Sequence, residues 1–300
     1  MKRFVIGLVF LILLSSQMMA GWLIVEKRED RFGNFSTQSV FILDQKVRVE
    51  NITSTYIFHL DTKSTTIIFP KQMSFWTGSH DSLRAELFRT VERQVLVMIE
   101  QLPEGERNQV GAEFDQMLQI LKTVQPDSLL PENFKIEVTD SLLDLGGYSC
   151  RKYLFVMDTV VMEELWITEQ VQPYLTLEMS QLNEMMRTFS KPTPLSIFRE
   201  SSEWIGLLKH GLVMKSVIPD SFGNSVMHVE RVREAGIPPD FFDAPPDYRS
   251  IGITEVVGIM MGDTNEINPS EGSLPKSPQL KNIVPSPFLK DTYDQRQNNY

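Results

Sequence analysis

Hydrophobic and polar residues alternate along the first part of the chain in a way that predicts β-strands. Lys46–Glu50 alternates at every position, which puts Val47 and Val49 on one face and the charged residues on the other. The other strands predicted nearby are 56–60, 65–69 and 73–76. Short polar turns separate these strands, so the region from 22 to 77 is predicted to form an antiparallel meander.

After this region the hydrophobic period changes to four residues. The repeat predicts an amphipathic helix that begins near Ser79 or Asp81 and ends before Pro103. A shorter helix closed by Pro126 follows, so that one helical insert covers about 79–125. The residues of the repeat are Leu83, Leu87, Val91, Val95 and Ile99.

Strands resume after the first insert and enclose a second one. Asp158 and Thr159 are the only residues between two of these strands, which predicts a hairpin. The predicted strands are 134–139, 147–157, 160–168, 212–218 and 226–233. The second helical insert covers about 174–209 and consists of a helix over 176–189 and another over 195–208. The pattern predicts an α+β fold in which helices pack on one face of an antiparallel sheet.

Both ends of the chain differ from this body in composition. Lys2 and Arg3 precede an apolar run of 11 residues, and the stretch that follows ends at Ala20. This order is typical of a cleaved secretory signal over 1–20, since a membrane span needs about 20 apolar residues. The body is a single domain over 21–255, and 256–300, rich in Pro, Asn and Ser, is predicted to be a disordered tail.

Charge and cysteine content narrow the range of functions. Without Lys2 and Arg3 the chain has 27 basic against 39 acidic residues, a formal charge of −12. An acidic surface disfavours nucleic acid, whose phosphates require clustered basic residues. Cys150 is the only cysteine, so no disulfide can form within the chain.

The residues that carry chemistry in enzymes do not form a recognisable pattern. The four histidines are isolated from one another, so neither a metal nor any other cofactor is predicted. Glu163 and Glu164 are adjacent on a predicted strand and therefore diverge, as at a solvated edge. Cys150 follows the same alternation as Tyr148, which favours a small core residue over a reactive thiol. The protein is predicted not to be an enzyme.

Methionines and aromatic residues are frequent in the second insert and in the strand before it. Because unbranched thioethers adapt to irregular apolar guests, these side chains predict a cavity for a lipid or acyl chain between sheet and helices. The candidate ligand-binding residues are Met162, Trp166, Met185, Met186 and Phe189. The alternative is that they are core residues, in which case the protein is a protein-interaction or envelope-assembly module.

Three segments in order carry a family resemblance. Gly147–Tyr153 reads Gly-Tyr-Ser-Cys-Arg-Lys-Tyr, Leu165–Thr168 contains a tryptophan strand, and Phe242–Tyr248 reads Phe-Asp-Ala-Pro-Pro-Asp-Tyr. Together they resemble the domain of unknown function 4412, found in exported bacterial proteins, over roughly 47–248. The resemblance implies the architecture of LolA-type periplasmic lipoprotein carriers: a curved antiparallel sheet, an incomplete barrel, with helices over its concave face. It implies no catalytic residue.

From these observations the expected protein is periplasmic or secreted, and non-enzymatic. Its expected partner is a lipid or another apolar ligand, with an envelope protein as the alternative. No membrane span remains once the signal is removed.

Overall fold

The computed structural model describes residues 19–123, 133–189, 193–220 and 223–262, with side chains described throughout except at 116–123 and Pro194. Within these ranges twelve strands form one sheet, accompanied by six α-helices. The strands are β1 (Met19–Glu29), β2 (Phe35–Leu43), β3 (Lys46–Glu50), β4 (Thr55–His59), β5 (Ser64–Phe69), β6 (Ser74–Ser79), β7 (Phe134–Leu145), β8 (Tyr148–Met157), β9 (Val160–Thr168), β10 (Leu212–Ile218), β11 (Ser225–Ile237) and β12 (Arg249–Ser250). The helices are α1 (His80–Glu100), α2 (Glu104–Thr123), α3 (Met179–Arg187), α4 (Pro194–Phe198), α5 (Ser202–His210) and α6 (Ile253–Met260).

The strands follow the order β12-β6-β5-β4-β3-β2-β1-β11-β10-β9-β8-β7 across the sheet. All neighbours run antiparallel except β12, which is parallel to β6. The sheet has two ends and is not closed into a barrel. The predicted α+β class with a largely antiparallel sheet is therefore confirmed. The long pairing of β1 with β11 joins an N-terminal half-sheet (β1–β6 with β12) to a C-terminal half-sheet (β7–β11).

Local sequence signals account for most strand boundaries. β3 has the predicted bounds, with Val47 and Val49 buried. The predicted hairpin joins β8 to β9, and Asp158 adopts a positive φ of 56° at the turn. Aspartate tolerates this left-handed conformation better than most residues do, which explains why a tight turn forms there.

One row of buried side chains runs across the N-terminal half-sheet and onto β11. Each member lies directly opposite the next in the strand register, so the row has no gap. Its members are Val232, Ile24, Val40, Val49, Tyr56, Ile67 and Trp76, all less than 9% exposed. Cross-strand contacts of this kind are the unit that stabilises a sheet, and here they fix the register of seven strands.

The helices cover the face of the sheet that carries this row. α1 begins where predicted, and its buried residues, among them Leu83 and Leu87, all lie in the first two turns. α3 is held to the N-terminal half-sheet by two glutamines. Gln45 donates to the Thr176 carbonyl at 2.7 Å, and Gln181 donates to the Leu60 carbonyl.

The helix predicted over 195–208 is two helices, so that prediction was wrong. α4 ends at Phe198, and α5 begins again after Ser201, whose hydroxyl accepts a hydrogen bond from the Trp204 backbone N–H. The break places Arg199 and Glu200 on an irregular turn. Ser201 caps the N-terminus of α5 and thereby explains where the second helix begins.

A second, smaller hydrophobic cluster covers the other face of the N-terminal half-sheet. Phe242 is fully buried there, and Phe241 packs edge-on against Phe41 with ring centroids 4.7 Å apart. The side chains of this cluster are Leu43, Ile57, Ile68, Ile237 and Phe242, with Phe41, Phe75, Phe241 and Tyr248 packed against them. The segment Phe242–Tyr248 therefore closes the outer face of β2–β6.

The chain then crosses the β6 edge and returns to the helical face. β12 pairs with Ser74 and Phe75 of β6, and α6 follows, with Val256 and Val257 buried in the main core. The boundary predicted at residue 255 therefore falls inside a helix, because two valines one turn into α6 find an apolar surface. The signal peptide predicted over 1–20 lies outside the described residues except for Met19 and Ala20, which belong to β1, and residues 263–300 of the predicted tail lie wholly outside them.

Candidate functional site

The space between the N-terminal half-sheet and α3 is filled by side chains of the protein itself. Met185 and Phe189, two of the predicted ligand-binding residues, are each only 2% exposed. The Phe189 ring packs edge-on against Tyr56, with centroids 5.1 Å apart, and also lies near Phe58. Met186 is partly buried at the margin of the same core. These residues occupy core positions in this half of the molecule.

A buried histidine holds the end of α3 in place. His80 lies at the start of α1, and its Nδ1 and Nε2 are 2.9 Å from the Thr65 hydroxyl and 2.8 Å from the Thr188 hydroxyl. Burial lowers the pKa of His80 to about 4. A neutral imidazole donates through one nitrogen and accepts through the other, and a threonine hydroxyl can take either role, so the two threonines satisfy both ring nitrogens of the uncharged form.

Trp166 alternates with the buried residues of β9. Its neighbours Leu165 and Ile167 are buried on the helical face, and residues on a strand alternate between faces. The Trp166 ring is 5.6 Å from the Lys152 ammonium, which also pairs with Glu164 at 2.7 Å. Trp166 is partly buried and packs at the margin of the main core.

An apolar cleft lies at the end of the β9–β10 pair, beside the start of α4. Its volume is about 460 Å³. Met162, another predicted ligand-binding residue, is part of its wall. The residues that line it are Val160, Val161, Met162, Thr193, Leu195, Ile218, Pro219 and Asp220. Six of these eight side chains are apolar.

A β-bulge shapes this wall. β8 pairs Phe155 with Glu163 and the next residue, Val156, with Val161, so Met162 has no partner on β8. A bulge of this kind breaks the alternation of side chains and turns one of them away from its expected face. The bulge explains how neighbouring residues of β9 come to line the same cleft.

A fully buried carboxylate lies next to the cleft. Glu163 is 0% exposed, and its Oε1 accepts hydrogen bonds from Arg199 Nη2 and from the Ser216 hydroxyl. The prediction that Glu163 lies at a solvated edge was therefore wrong, whereas Glu164 does point the other way and pairs with Lys152. Burying a charge is costly unless it is paired, and Arg199 supplies the pair.

The turn that carries Arg199 is held by contacts with α3. Asn183 of α3 donates to the Arg199 backbone carbonyl at 3.1 Å, and the neighbouring Glu200 pairs with Arg187 of α3 at 2.6 Å. Burial raises the pKa of Glu200. The turn between α4 and α5 is thus pinned to α3, which fixes the position of the Arg199 guanidinium.

Sequence reasoning missed Glu163, although one signal for it is present. In β9 the positions of Glu163, Leu165 and Ile167 share one period-two stripe, and the two aliphatic residues mark that stripe as buried. The partners Arg199 and Ser216 could not be identified in this way, because they lie 36 and 53 residues further along the chain.

Cys150 is a core residue, as predicted. It is 0% exposed, and burial, with a smaller contribution from the Asp144 carboxylate, raises its pKa to about 11. The thiol is therefore protonated at neutral pH, whereas nucleophilic cysteines are thiolates.

Across 19–123, 133–189, 193–220 and 223–262, no group of three or more His, Cys, Asp or Glu side chains is arranged to hold a metal ion. None of the helices in the part of the chain that the structure describes is long and apolar enough to span a membrane.

Comparisons with known proteins give distant structural likenesses alone. No family model matches the chain, and no curated protein matches it. A solved structure of an uncharacterized conserved protein from Thermus thermophilus is 7% identical, with a TM-score of 0.38, over 82% of this chain and 98% of that one. PNGF-II is 11% identical with a TM-score of 0.34, over 80% of this chain and 32% of its own. A structure of the Pseudomonas aeruginosa MucA/MucB complex is 9% identical with a TM-score of 0.36, over 79% of this chain and 59% of the matched one. At these TM-scores the likenesses say nothing of ligand or activity, and the resemblance to the domain of unknown function 4412 and to LolA-type carriers stays a prediction.

Proposed function

We propose that this chain is an exported, non-enzymatic protein that binds an apolar ligand, a lipid or an acyl chain, in the cleft between the β9–β10 pair and α4. The observation that carries the proposal is the cleft itself, about 460 Å³ with a mostly apolar wall. Ligand sites in proteins have volumes of roughly 300–1,000 Å³ and are lined mainly by apolar side chains. The space under α3 is filled by core side chains, so we place the ligand beside Met162 and not beside Met185.

Exposed apolar surface around the cleft supports this location. Val160 is 58% exposed at its rim, while Leu195 and Ile218 are partly buried in its wall. An acyl chain seated there removes both its own surface and these side chains from water, a gain of about 0.8 kcal/mol for each buried methylene. Asp220 at the rim pairs with Arg31 at 2.8 Å, so the polar part of the rim is structured.

Native mass spectrometry tests the proposal. The protein is produced with its own N-terminal segment in a Gram-negative host, purified from the periplasm, and weighed before and after extraction with organic solvent. We expect a stoichiometric adduct of lipid mass that extraction removes. A protein that weighs only its calculated mass before extraction contradicts the proposal.

A matched pair of substitutions ties the adduct to the cleft. Met162→Asp puts a charge in the wall, and we expect it to abolish the adduct. Met73→Asp introduces the same charge at a residue that is 53% exposed and does not line the cleft, and we expect the adduct to remain. Circular dichroism verifies that both variants are folded. Equal adducts in both variants place the ligand elsewhere.

The export step is tested on the same preparation. The signal predicted over 1–20 gives a mature chain that begins at Gly21, so that N-terminal sequencing of the periplasmic protein reads Gly-Trp-Leu-Ile. Recovery of the protein in the cytoplasm with Met1 intact contradicts the predicted localisation.

A second candidate function is a protein-interaction module, and the edge strand β7 favours it. Val138 and Leu142 on this strand are 58% and 63% exposed, and among the described residues β7 has a strand on one side only. An edge strand of this kind can add an extended segment of a partner protein to the sheet. If a periplasmic partner co-purifies with wild-type protein and is lost in Leu142→Lys but retained in Met162→Asp, this second function replaces the first.

A further inference from the structure

The face of β11 that lies away from the main core carries basic side chains. Ile237 belongs to the second, smaller hydrophobic cluster, whereas Val232 belongs to the main core, so these two residues mark opposite faces of the strand. Arg231 and Arg233 flank Val232 in the sequence and therefore lie on the face of Ile237. Both arginines are exposed. They extend the outer face of the sheet, which Phe242–Tyr248 covers over β2–β6, onto β11.

Two lysines on the neighbouring strands lie on the same face. Lys215 of β10 is directly opposite His228 of β11, and His228 is directly opposite Lys27 of β1. Arg231 is opposite Val25, two residues before Lys27, so the register places these side chains on one face. Because neighbouring strands are about 4.8 Å apart, the two lysines lie on either side of β11 at a separation of about 10 Å. The basic patch consists of Lys27, Lys215, Arg231 and Arg233.

The charges of the basic patch are not neutralised by carboxylates. Within the described part of the chain, none of its four residues forms an ion pair. The acidic residues nearest to it on β1 and β11 are Glu29 and Glu230, and Glu230 lies 3.9 Å from His228. The whole chain has a formal net charge of −10, but the Debye length of about 8 Å at physiological salt screens distant acidic residues from the patch. Since like charges crowded on a sheet are destabilising, folding does not explain the patch.

Two exposed aromatic rings lie beside the basic patch, on the β1–β2 hairpin. The Lys27 ammonium is 4.4 Å from the ring centroid of Phe35, and the Arg31 guanidinium is 4.9 Å from that of Phe32. Phe35 is 59% exposed and Phe32 is 47% exposed. Arg31 also pairs with Asp220, which lines the apolar cleft. The hairpin therefore joins the basic patch to the rim of the cleft.

We propose that the basic patch and the β1–β2 hairpin dock the protein onto an anionic phospholipid surface. The lysines and arginines face the lipid phosphates, and each strengthens binding about fivefold. Phe32 and Phe35 enter the interfacial region, where aromatic side chains are favoured. A soluble polyanion matches the charges but leaves both rings in water, so the rings favour a lipid surface. This partner goes beyond the proposed function, because docking does not require a ligand in the cleft.

Cosedimentation with vesicles tests the docking. The full mature protein is mixed with vesicles of phosphatidylcholine alone, or of phosphatidylcholine and phosphatidylglycerol in equal amounts, at low and at high salt. We expect binding to the anionic vesicles only, weakened about tenfold or more by high salt. Equal binding to both kinds of vesicle, or binding to neither, overturns the inference. The adduct seen by native mass spectrometry decides the proposed function separately.

Charge reversal locates the docking surface. In the double variant Arg231→Glu, Arg233→Glu we expect binding to anionic vesicles to fall at least about 25-fold, since each lost cation accounts for about fivefold. The control Lys71→Glu, Arg93→Glu makes the same change in net charge at two exposed residues, one between β5 and β6 and one on α1, and should bind like wild type. Circular dichroism verifies that both variants are folded. Equal losses in the two variants mean that net charge alone governs binding, which contradicts the inference.

Removing the aromatic rings separates a lipid surface from a soluble polyanion. Phe32→Ala with Phe35→Ala keeps every charge, and we expect it to weaken binding to anionic vesicles about tenfold. Binding to dextran sulfate, a soluble polyanion, should not change. If vesicle binding is unchanged as well, the rings do not enter lipid and the inference is overturned in favour of a polyanion. If the arginine variant does not fold, this pair and the salt series on wild-type protein decide.

Discussion

The two half-sheets of this molecule bury their side chains to different extents. The N-terminal half-sheet is covered on both faces, by the helices over the row that ends at Trp76 and by the segment that contains Phe242. Its outer edge is bonded by β12. The C-terminal half-sheet ends in β7, where Val138 and Leu142 are more than half exposed. It also holds a buried carboxylate and the apolar cleft.

The difference indicates that the two halves of one continuous sheet contribute unequally to stability. Apolar side chains are packed on both faces of the N-terminal half-sheet, so we expect substitutions in it to cost the most stability. The buried ion pair and the apolar cleft both lie in the C-terminal half-sheet, where we propose that the ligand binds. The following substitutions test this division, beginning with the largest expected effect.

Removing Phe242, a fully buried residue of the second, smaller hydrophobic cluster, should lower stability most. Phe242 is fully buried, and Phe242→Ala is expected to lower the free energy of unfolding by about 4 kcal/mol, because it removes a large ring and leaves a cavity. Urea denaturation followed by circular dichroism measures the loss. Phe35→Ala, at a residue that is 59% exposed, is the control and should cost less than about 1 kcal/mol. Similar losses in both variants show that the outer face is not a true core.

Breaking the buried ion pair should rank second. Arg199→Ala leaves the Glu163 carboxylate without its counter-ion, and we expect a loss of about 3 kcal/mol, moderated because the Arg199 side chain is 39% exposed. The exposed pair Lys135–Glu137 provides the control, and Lys135→Ala should change stability by less than about 1 kcal/mol. An unchanged urea midpoint for Arg199→Ala contradicts the role given to the pair.

Acid should weaken the attachment of α3 through His80. The pKa of His80 is about 4 in the folded protein, against an ordinary value of 6.5. Between pH 6.5 and pH 4 the unfolded state therefore binds more protons than the folded state. The free energy of unfolding falls as the pH drops through this range. From pH 7 to pH 5 the expected loss is about 2 kcal/mol. His80→Gln keeps a donor and an acceptor for the threonines and should remove this part of the pH dependence. Urea midpoints with the same pH slope in both proteins contradict the assignment.

The smallest effect is expected at the β7 edge. Leu142→Lys replaces a side chain that is 63% exposed, and we expect the free energy of unfolding to change by less than about 0.5 kcal/mol. Leu165→Lys, at a fully buried position of β9, is the contrasting control and should prevent folding. A large loss in Leu142→Lys means that β7 is covered by another part of the chain.

Local periodicity predicted most elements because their boundaries are set locally. The alternation of β3, the hairpin at Asp158 and the start of α1 all depend on neighbouring residues, and each was confirmed. The break before Ser201 and the helix at Ile253 were missed, although the serine N-cap is a local signal. The short helix at Ile253 is stabilised because its two adjacent valines pack against the rest of the core, and local sequence patterns do not show such packing.

Long-range contacts were beyond prediction from one sequence. Nothing in the residues of β1 indicates that its partner is β11, and nothing near Glu163 indicates Arg199. For the candidate site, methionine content led to Met162, which lines the cleft, and also to Met185, which is core. The two cannot be separated without the packing, because an adaptable apolar side chain suits a core and a cleft equally.

The pairing of β1 with β11 sets the order in which the chain can complete its fold. One edge of β1 can pair with β2 at once, but Met19 meets Ile237 on the other edge, which therefore has no partner until β11 has been made. Contacts so distant in sequence form slowly, so the backbone groups at strand edges stay unpaired for longer. A chain that emerges N-terminus first from a ribosome or a translocation channel therefore needs protection from aggregation until its last strands have appeared.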